Sequence, residues 1–198
     1  TGAQYQVAQV EQKERQKRPL PPFITSTMQQ EASRKLRFGA KKTMQVAQRL
    51  YEGIDLGAEG PVGLITYMRT DSIRVAGVAI AAVRDFIQQE YGPEYLPAKP
   101  HAYKSRKSAQ EAHEAIRPTL ISRDAQSLKE FLSPEQYKLY DLIYRRFIAS
   151  QMNPARFLVT TAVIQAGECI FTASGTAPVF DGFLALYNNE KDEKEKSK

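Results

Sequence analysis

The chain has little of several features that define whole protein classes. Its 198 residues include one cysteine, Cys169, and no tryptophan. A single thiol excludes an internal disulfide and any zinc site built from several cysteines, so a reducing compartment is expected. No apolar run approaches the roughly 18 residues that a membrane helix requires, and there is no signal-peptide pattern. We therefore expect a cytoplasmic protein without a membrane partner.

The rest of the composition is that of a folded chain. Hydrophobic residues make up 42% and charged residues 25% of the sequence, which excludes wholesale disorder. The 11 glycines and 11 prolines are too few for a fibrous protein. This length allows one good core or two small domains. The sequence starts with Thr1 rather than Met, and we expect it to be a piece of a longer chain.

Positive charge is concentrated in the first quarter of the sequence. Overall, 28 Lys and Arg against 22 Asp and Glu give a formal charge of +6. Residues 1–50 hold ten Lys or Arg and three Glu, a local charge of +7. An uneven basic surface favours a polyanionic partner such as nucleic acid, although a solvated surface is the plain alternative.

The two ends of the chain are predicted to be β and the middle to be helical. The predicted strands cover residues 5–10, 157–164, 170–173 and 183–187. The charged residues 11–18 either extend the first strand or form a loop. The predicted fold class is therefore α+β, with a helical, helix-turn-helix-like domain inserted into a small antiparallel β domain.

Four helices are predicted from apolar periodicity and capping residues. Thr27 with Gln30 fits a capping box for the first, which Gly39 is expected to close. Asp71 or Ser72 is expected to cap the third. The second is predicted over about residues 40–52, the third to about 91, and the fourth from Ser133 to about 152. The predicted buried positions are Met44, Ala47, Leu50 and Tyr51 in the second helix, and Val75, Val78, Ala82, Val83, Phe86 and Ile87 in the third. Residues 93–109 are predicted to be a mobile basic loop, and those after 188 a disordered tail.

The segment most suggestive of chemistry is residues 63–72, with the sequence GLITYMRTDS. Tyr67 is predicted at the end of a short strand over 64–68, and Arg69, two residues later, lies on the same face. A helix beginning near Ser72 would offer backbone N–H groups and partial positive charge to a phosphate. This pattern fits a phenolic nucleophile attacking a phosphodiester. The alternatives are a core tyrosine and a surface ion pair.

A second segment, residues 110–119, reads QEAHEAIRPT. His113 and Arg117 are four positions apart, and Pro118 disfavours helix at Arg117, so a turn is expected there. A histidine and an arginine that project together can hold a phosphate, and imidazole can carry a proton near neutral pH. The alternative is a polar surface histidine. No cluster has metal-ligand spacing, so no metal site is predicted on this chain.

Four segments of the sequence resemble the type IA DNA topoisomerases, and within them the bacterial topoisomerase I group. Besides residues 63–72 they are 22–33 (PFITSTMQQEAS), 41–53 (KKTMQVAQRLYEG) and 111–119 (EAHEAIRPT). The resemblance implies a helical tyrosyl domain III and a β-rich arch, domain II. Domain III would cover about residues 27–153, domain II about 1–26 and 154–190, and a disordered charged tail 191–198.

The resemblance also implies residue roles. The tyrosine matching Tyr67 attacks single-stranded DNA, forms a 5′-phosphotyrosine and frees a 3′-hydroxyl. Tyr67, Arg69 and His113 are the implied catalytic residues. The predicted DNA-binding residues are Arg69 and His113, which the resemblance implies, together with Arg117 and Arg74. The complete enzyme would relax negative supercoils without ATP, within the cytoplasm and associated with the nucleoid.

The Toprim domain of that family, which carries its acidic Mg²⁺ site, has no counterpart in this sequence. The resemblance therefore implies Mg²⁺ for the complete enzyme and no cofactor for this chain. The implied partners are DNA, single-stranded at the cleavage site, and the Toprim domain of the full-length protein. Alone, the chain is expected to bind single-stranded DNA weakly and to lack relaxation activity. The rival interpretation is a non-catalytic helix-turn-helix DNA-binding module, and a tyrosine recombinase is a remote third.

Overall fold

The computed structural model describes residues 4–103 and 113–187. Its strands are β1 (Tyr5–Lys17), β2 (Ile54–Asp55), β3 (Pro61–Val62), β4 (Ala155–Ala166) and β5 (Cys169–Phe180), and its helices are α1 (Thr25–Leu36), α2 (Ala40–Glu52), α3 (Gly77–Glu90) and α4 (Pro134–Ser150). The predicted α+β class is confirmed. Residues 104–112 of the predicted basic loop, and the predicted tail, lie outside the described residues.

The chain divides into two compact units. One combines the described parts of Thr1–Arg18 and Asn153–Lys198, and the other is Pro19–Met152. The second unit is thus inserted between the two parts of the first. In the part of the chain that the structure describes, no helix is both long and apolar enough to cross a membrane.

The first unit is a three-stranded antiparallel sheet in the order β1-β4-β5. β1 continues through the charged residues to Lys17, so these residues extend the strand rather than form a loop. A bulge between Val7 and Gln9 inserts one residue. Val7 and Val10 therefore pair with Ile164 and Ala162, which share one face of the sheet.

The predicted strand at 183–187 is wrong, because the chain turns there instead. Gly182–Leu184 is a 3₁₀ turn, and Gly182 has a φ of +50°. A Cβ on this glycine would lie 2.5 Å from the carbonyl oxygens of Asn153 and Pro154. The close approach of this turn to the chain before β4 therefore requires glycine.

In the second unit, α1, α2 and α4 pack on one another. Ser133 begins α4 as predicted, since its hydroxyl accepts from the Gln136 N–H at 3.2 Å and the Gln136 side chain accepts from the Ser133 N–H at 2.8 Å. The large side chains buried in this unit include Phe23, Met28, Leu50, Leu139, Ile143 and Phe147.

The ends of α1 differ from the prediction. α1 begins at Thr25 rather than after Thr27, and Thr27 Oγ1 accepts from the Ile24 N–H at 3.0 Å. Arg37, with a φ of 60°, ends α1 in the left-handed conformation, so Gly39 does not close it. Gly39 is instead the N-cap of α2.

The predicted bounds of α2 are confirmed, but its buried face is rotated. Thr43, Val46, Ala47 and Leu50 are its buried residues. Tyr51, predicted to face inward, is 40% exposed. This exposure places an aromatic ring at the surface where α2 ends.

The prediction for α3 is wrong at its start. The helix begins at Gly77 with Ala76 as N-cap, so neither Asp71 nor Ser72 caps it. The buried residues of α3 are Ala79, Val83 and Ile87, which lie four positions apart and form a narrower stripe than predicted. Val78 and Ala82, which were predicted to be buried, are exposed.

Candidate active site

The tyrosine segment, residues 63–72, is an irregular loop rather than the predicted strand. An isolated bridge joins Ile65 to Pro118, and the Thr119 N–H donates to the carbonyl of Leu64 at 3.0 Å. Leu64, Ile65 and Met68 are fully or almost fully buried. Buried apolar residues therefore anchor the loop on both sides of the tyrosine at its centre.

The structure places Tyr67 in contact with two other rings. The ring centroids of Tyr67 and His113 are 5.3 Å apart. Tyr51 meets Tyr67 edge-on, with 5.4 Å between centroids and an angle of 64° between the ring planes. Packing against these two rings restricts the direction of the half-buried phenol ring. The approach of His113 brings two of the predicted site residues together, whereas nothing in the sequence pattern marks Tyr51 as a neighbour.

Thr66 links the tyrosine loop to the segment that carries His113. Its hydroxyl donates to the carbonyl of Ala115 at 2.7 Å and accepts from the Arg117 N–H at 3.0 Å. Its own N–H donates to the carbonyl of Arg117 at 2.9 Å. The residue directly before Tyr67 thus holds the chain directly after His113.

Arg69 lies exposed on a part of the loop whose backbone is fixed. Thr25 Oγ1 donates to the carbonyl of Met68 at 2.7 Å and accepts from the Thr70 N–H at 2.9 Å. The Thr25 N–H donates to the carbonyl of Thr70 at 2.9 Å. The backbone on both sides of Arg69 is therefore held while its guanidinium faces solvent. The predicted reason for its direction, a shared strand face with Tyr67, does not apply.

The helix N-terminus that was predicted beside Tyr67 is not there, since α3 starts at Gly77. The N–H of its N-cap residue, Ala76, donates to Glu114 Oε2 at 3.2 Å. A carboxylate of the protein itself therefore occupies this helix start. Any anion held beside Tyr67 depends on side chains rather than on the α3 dipole.

Arg117 is bound into the scaffold. Its Nε donates to Glu114 Oε2 at 2.8 Å, and a terminal nitrogen donates to the carbonyl of Pro118 at 3.0 Å. Only 12% of its side chain is exposed. The charge of the exposed Arg74 acts on Glu114. The backbone carbonyl of Arg74 accepts a hydrogen bond from the Ala115 N–H at 2.8 Å. Glu114 thus organises two arginines, a role that the motif did not indicate.

The carboxyl of Glu114 has a pKa below its ordinary value. Burial by itself raises this pKa. The hydrogen bonds from Arg117 and from the Ala76 N–H, with the charges of Arg117 and Arg74, outweigh burial and lower it. A lowered folded-state pKa contributes stability that is present above the unfolded value and is lost as pH falls through the folded value.

We expect Glu114→Gln to lower the melting temperature at pH 7 by roughly 2–4 °C, about 1 kcal/mol after allowance for solvent screening. The difference between the two proteins should shrink below about pH 4.5 as the native carboxylate becomes protonated. Thermal melts of both proteins from pH 3 to 7 check this. A difference that stays constant across that range would contradict the assigned charge interaction.

Residues 4–103 and 113–187 contain no cluster of candidate metal ligands. Within these residues, no group of three or more His, Cys, Asp or Glu side chains could hold a metal ion. The site offers the phenols of Tyr67 and Tyr51, the His113 imidazole beside Tyr67, and the exposed guanidinium of Arg69. This set suits a phosphate better than a cation.

Comparison with known proteins shows extensive similarity to one family. A family model described as DNA topoisomerase matches residues 1–198. The chain is 53% identical over 190 residues to DNA topoisomerase 1 of Xylella fastidiosa (strain Temecula1 / ATCC 700964), covering 95% of this chain and 23% of that protein. It is 50% identical over 192 residues to DNA topoisomerase 1 of Rickettsia felis, covering 96% of this chain and 25% of that protein.

A solved structure is similar as well. It is that of full-length topoisomerase I from Thermotoga maritima, with a TM-score of 0.83 and 36% sequence identity. This match covers 95% of the chain and 30% of the Thermotoga chain. The chain thus spans 23% to 25% of the length of the two curated relatives described above.

Proposed function

The chain belongs to the DNA topoisomerase family, and we propose that it carries the strand-cleaving tyrosine of a type IA enzyme. The observation that carries the proposal is the contact between Tyr67 and His113, with Arg69 two residues along the loop. The sequence motif around Tyr67 supports the proposal, and the family match includes all of these residues.

In the proposed reaction, the Tyr67 hydroxyl oxygen attacks the phosphorus of a phosphodiester in single-stranded DNA. A bond forms between that oxygen and phosphorus, and the bond between phosphorus and the 3′ oxygen breaks. The electron pair goes to the 3′ oxygen, which gains a proton as the phenol loses one. The products are a 5′-phosphotyrosine and a 3′-hydroxyl, and the reverse steps rejoin the strand after passage of DNA.

Arg69 and His113 are proposed to hold the scissile phosphate. The exposed Arg69 guanidinium supplies fixed positive charge and two donors that match phosphate oxygens. The His113 imidazole, next to the phenol ring, can donate a further hydrogen bond and, when protonated, a second charge. Arg74 and Arg117 are proposed to contribute charge to the surrounding DNA surface. For Arg117 the bonds to Glu114 favour an indirect contribution.

The other domains that the proposed reaction requires belong to the complete protein. We propose that the unit Pro19–Met152 corresponds to the tyrosyl domain III, over about residues 27–153, and the sheet to the arch domain II. The Toprim domain of the full-length enzyme would face Tyr67 and bind Mg²⁺ through its acidic residues.

A non-catalytic DNA-binding module is the second candidate function. The two-helix corner of α1 and α2 and the basic first fifty residues favour it. It does not account for a tyrosine packed against a histidine, and the family match favours cleavage. The two functions differ in whether DNA becomes covalently attached.

Binding of single-stranded DNA by this chain should be weak and dependent on salt. Each phosphate neutralised adds about 0.7 to the slope of log affinity against log salt concentration. We expect Arg69→Gln to reduce that slope by about 0.7, whereas Lys138→Gln, at an exposed position of α4 outside the site, leaves it unchanged. Fluorescence anisotropy with a labelled oligonucleotide measures both. A salt-independent affinity or a strong preference for duplex would contradict this interaction.

The proposed division of labour is tested by reconstitution. The chain alone should leave a negatively supercoiled plasmid unchanged. Mixing it with a separately prepared Toprim fragment and Mg²⁺ should restore relaxation that chelation of Mg²⁺ stops. Relaxation by the chain alone, or relaxation that persists after chelation, would show that the assignment of functions to the two parts is wrong.

A further inference from the structure

We propose that the Thr66 hydroxyl is a positioning group that sets the Tyr67 and His113 side chains against each other for strand cleavage. The inference rests on the proposed function of Tyr67. It assigns a role to a residue whose only distinction in the sequence is its place before the tyrosine. Thr66 does not touch the reacting atoms in this scheme, and acts through the two residues that do.

The first support is the position of the residues to which the Thr66 hydroxyl is hydrogen-bonded. Two backbone bonds join the segments, from the Thr66 N–H to the carbonyl of Arg117 and from the Thr119 N–H to the carbonyl of Leu64. The hydroxyl adds two more bonds, one of them to the carbonyl of Ala115, two residues from His113. The side chain thus extends the connection towards the histidine, beyond where the backbone pairing ends.

The second support is that, among the described residues, no β-ladder holds the tyrosine loop against the segment that carries His113. The tyrosine loop pairs with the histidine segment through the isolated bridge of Ile65 and Pro118, rather than through a strand ladder. Ala115 and Ile116 are also held from the other side, by the carbonyls of Arg74 and Phe23 at 2.8 Å each. These bonds fix the histidine segment in the unit, whereas those of Thr66 fix the segment relative to Tyr67.

The third support is the separation that this link controls. The Tyr67 and His113 ring centroids are 5.3 Å apart, so both side chains can reach one phosphate. Without the hydroxyl, the Ala115 carbonyl and the Arg117 N–H each lose a hydrogen-bond partner. Because unpaired polar groups are costly, we expect the segment that carries His113 to shift towards other partners. A misplacement of about 1 Å in a reacting group can cost about 100-fold in rate.

The test compares Thr66→Val, which keeps the shape but removes the hydroxyl, with Thr66→Ser, which keeps the hydroxyl. In a complete topoisomerase carrying this chain, we expect Thr66→Val to lower strand cleavage roughly 10- to 100-fold with little change in binding of single-stranded DNA. Thr66→Ser should retain most of the cleavage. The matched control is Thr43→Val, a buried threonine whose hydroxyl bonds within α2 and which should behave as wild type.

A second measurement needs no activity. In this chain, NMR should detect a nuclear Overhauser effect between the ring protons of Tyr67 and His113, because the rings are in contact. The effect should be lost or much reduced in Thr66→Val, and kept in Thr66→Ser and Thr43→Val. A general loss of stability would not remove this contact selectively in a folded variant.

The outcomes separate this inference from the proposed function. Unchanged ring contact in Thr66→Val, unchanged cleavage, or a serine variant as defective as the valine variant would each overturn it. If Thr66→Val does not fold, Thr66→Ala replaces it. If neither folds, the hydroxyl serves the whole fold and the positioning role is wrong. Failure of the proposed function would appear elsewhere, as adduct formation that survives without the Tyr67 hydroxyl.

Discussion

Tyr67→Phe is expected to abolish the denaturant-stable adduct between a complete topoisomerase carrying this chain and single-stranded DNA. The substitution removes one oxygen, the atom proposed to bond to phosphorus, and keeps the ring that packs against Tyr51 and His113. Binding of DNA should therefore stay close to wild type while cleavage falls below detection. Electrophoresis of trapped complexes under denaturing conditions measures the adduct, and anisotropy measures binding.

Tyr51→Phe is the matched control for this experiment. Tyr51 belongs to the same group of rings and is 40% exposed, so it is the rival nucleophile to test. The variant should form adduct at the wild-type level. Adduct that persists in Tyr67→Phe and disappears in Tyr51→Phe would reverse the assignment of the nucleophile.

Gly63→Ala should be the most disruptive small substitution near the site. A Cβ on Gly63 would lie 2.7 Å from the carbonyl oxygen of Tyr51, a backbone atom at the end of α2. Relief of this clash requires the loop or the helix end to move, which disturbs the bond from the Leu64 N–H to the carbonyl of Leu50. We expect a loss of about 1–3 kcal/mol, a fall of roughly 3–10 °C in melting temperature.

The same displacement would move the loop that carries Tyr67, so cleavage should fall in the complete enzyme even at temperatures where the variant is folded. Gly77→Ala is the matched control. A Cβ on Gly77, at the first position of α3, would have nothing within 4 Å. This control should keep or raise the melting temperature, because alanine favours helix. Equal melting temperatures for Gly63→Ala and wild type would show that the close approach is unimportant.

Local signals in the sequence were sufficient for α2 and α4. The fourth helix has an unambiguous start in Ser133 and Pro134, and a capping box of Ser133 with Gln136 forms there. The second is bounded by Gly39 and Gly53 as its caps. In both cases the residues that define the helix lie within it or next to it, so no distant contact could override the pattern.

The start of α3 could not be predicted because its apparent capping residues are used differently. The Ser72 N–H donates to Thr70 Oγ1 at 3.0 Å, and Ser72 Oγ accepts from the Arg74 N–H at 3.3 Å. These short-range bonds satisfy the backbone outside a helix, as hydroxyl side chains often do. The sequence features of a helix start were therefore present five residues before the helix begins at Gly77.

The candidate site shows the same division between local and distant information. Tyr67, Arg69 and His113 stand out in the sequence because of the residues around them. Thr25 and Thr66 do not, since their partners at the site are 43 to 51 positions away along the chain. A hydroxyl that bonds a distant backbone has the same appearance in a sequence as one that faces water.

The central claim, that Tyr67 is the covalent nucleophile, is tested most directly by mapping the DNA-linked residue in the native enzyme. A trapped cleavage complex of the complete topoisomerase would be digested with nuclease and trypsin and analysed by mass spectrometry. Cleavage after Arg49 and Arg69 yields one peptide that contains both Tyr51 and Tyr67, so fragmentation of that peptide distinguishes them. We predict a nucleotide attached through its 5′ phosphate to Tyr67. Attachment to Tyr51 or to any other residue would contradict the mechanism.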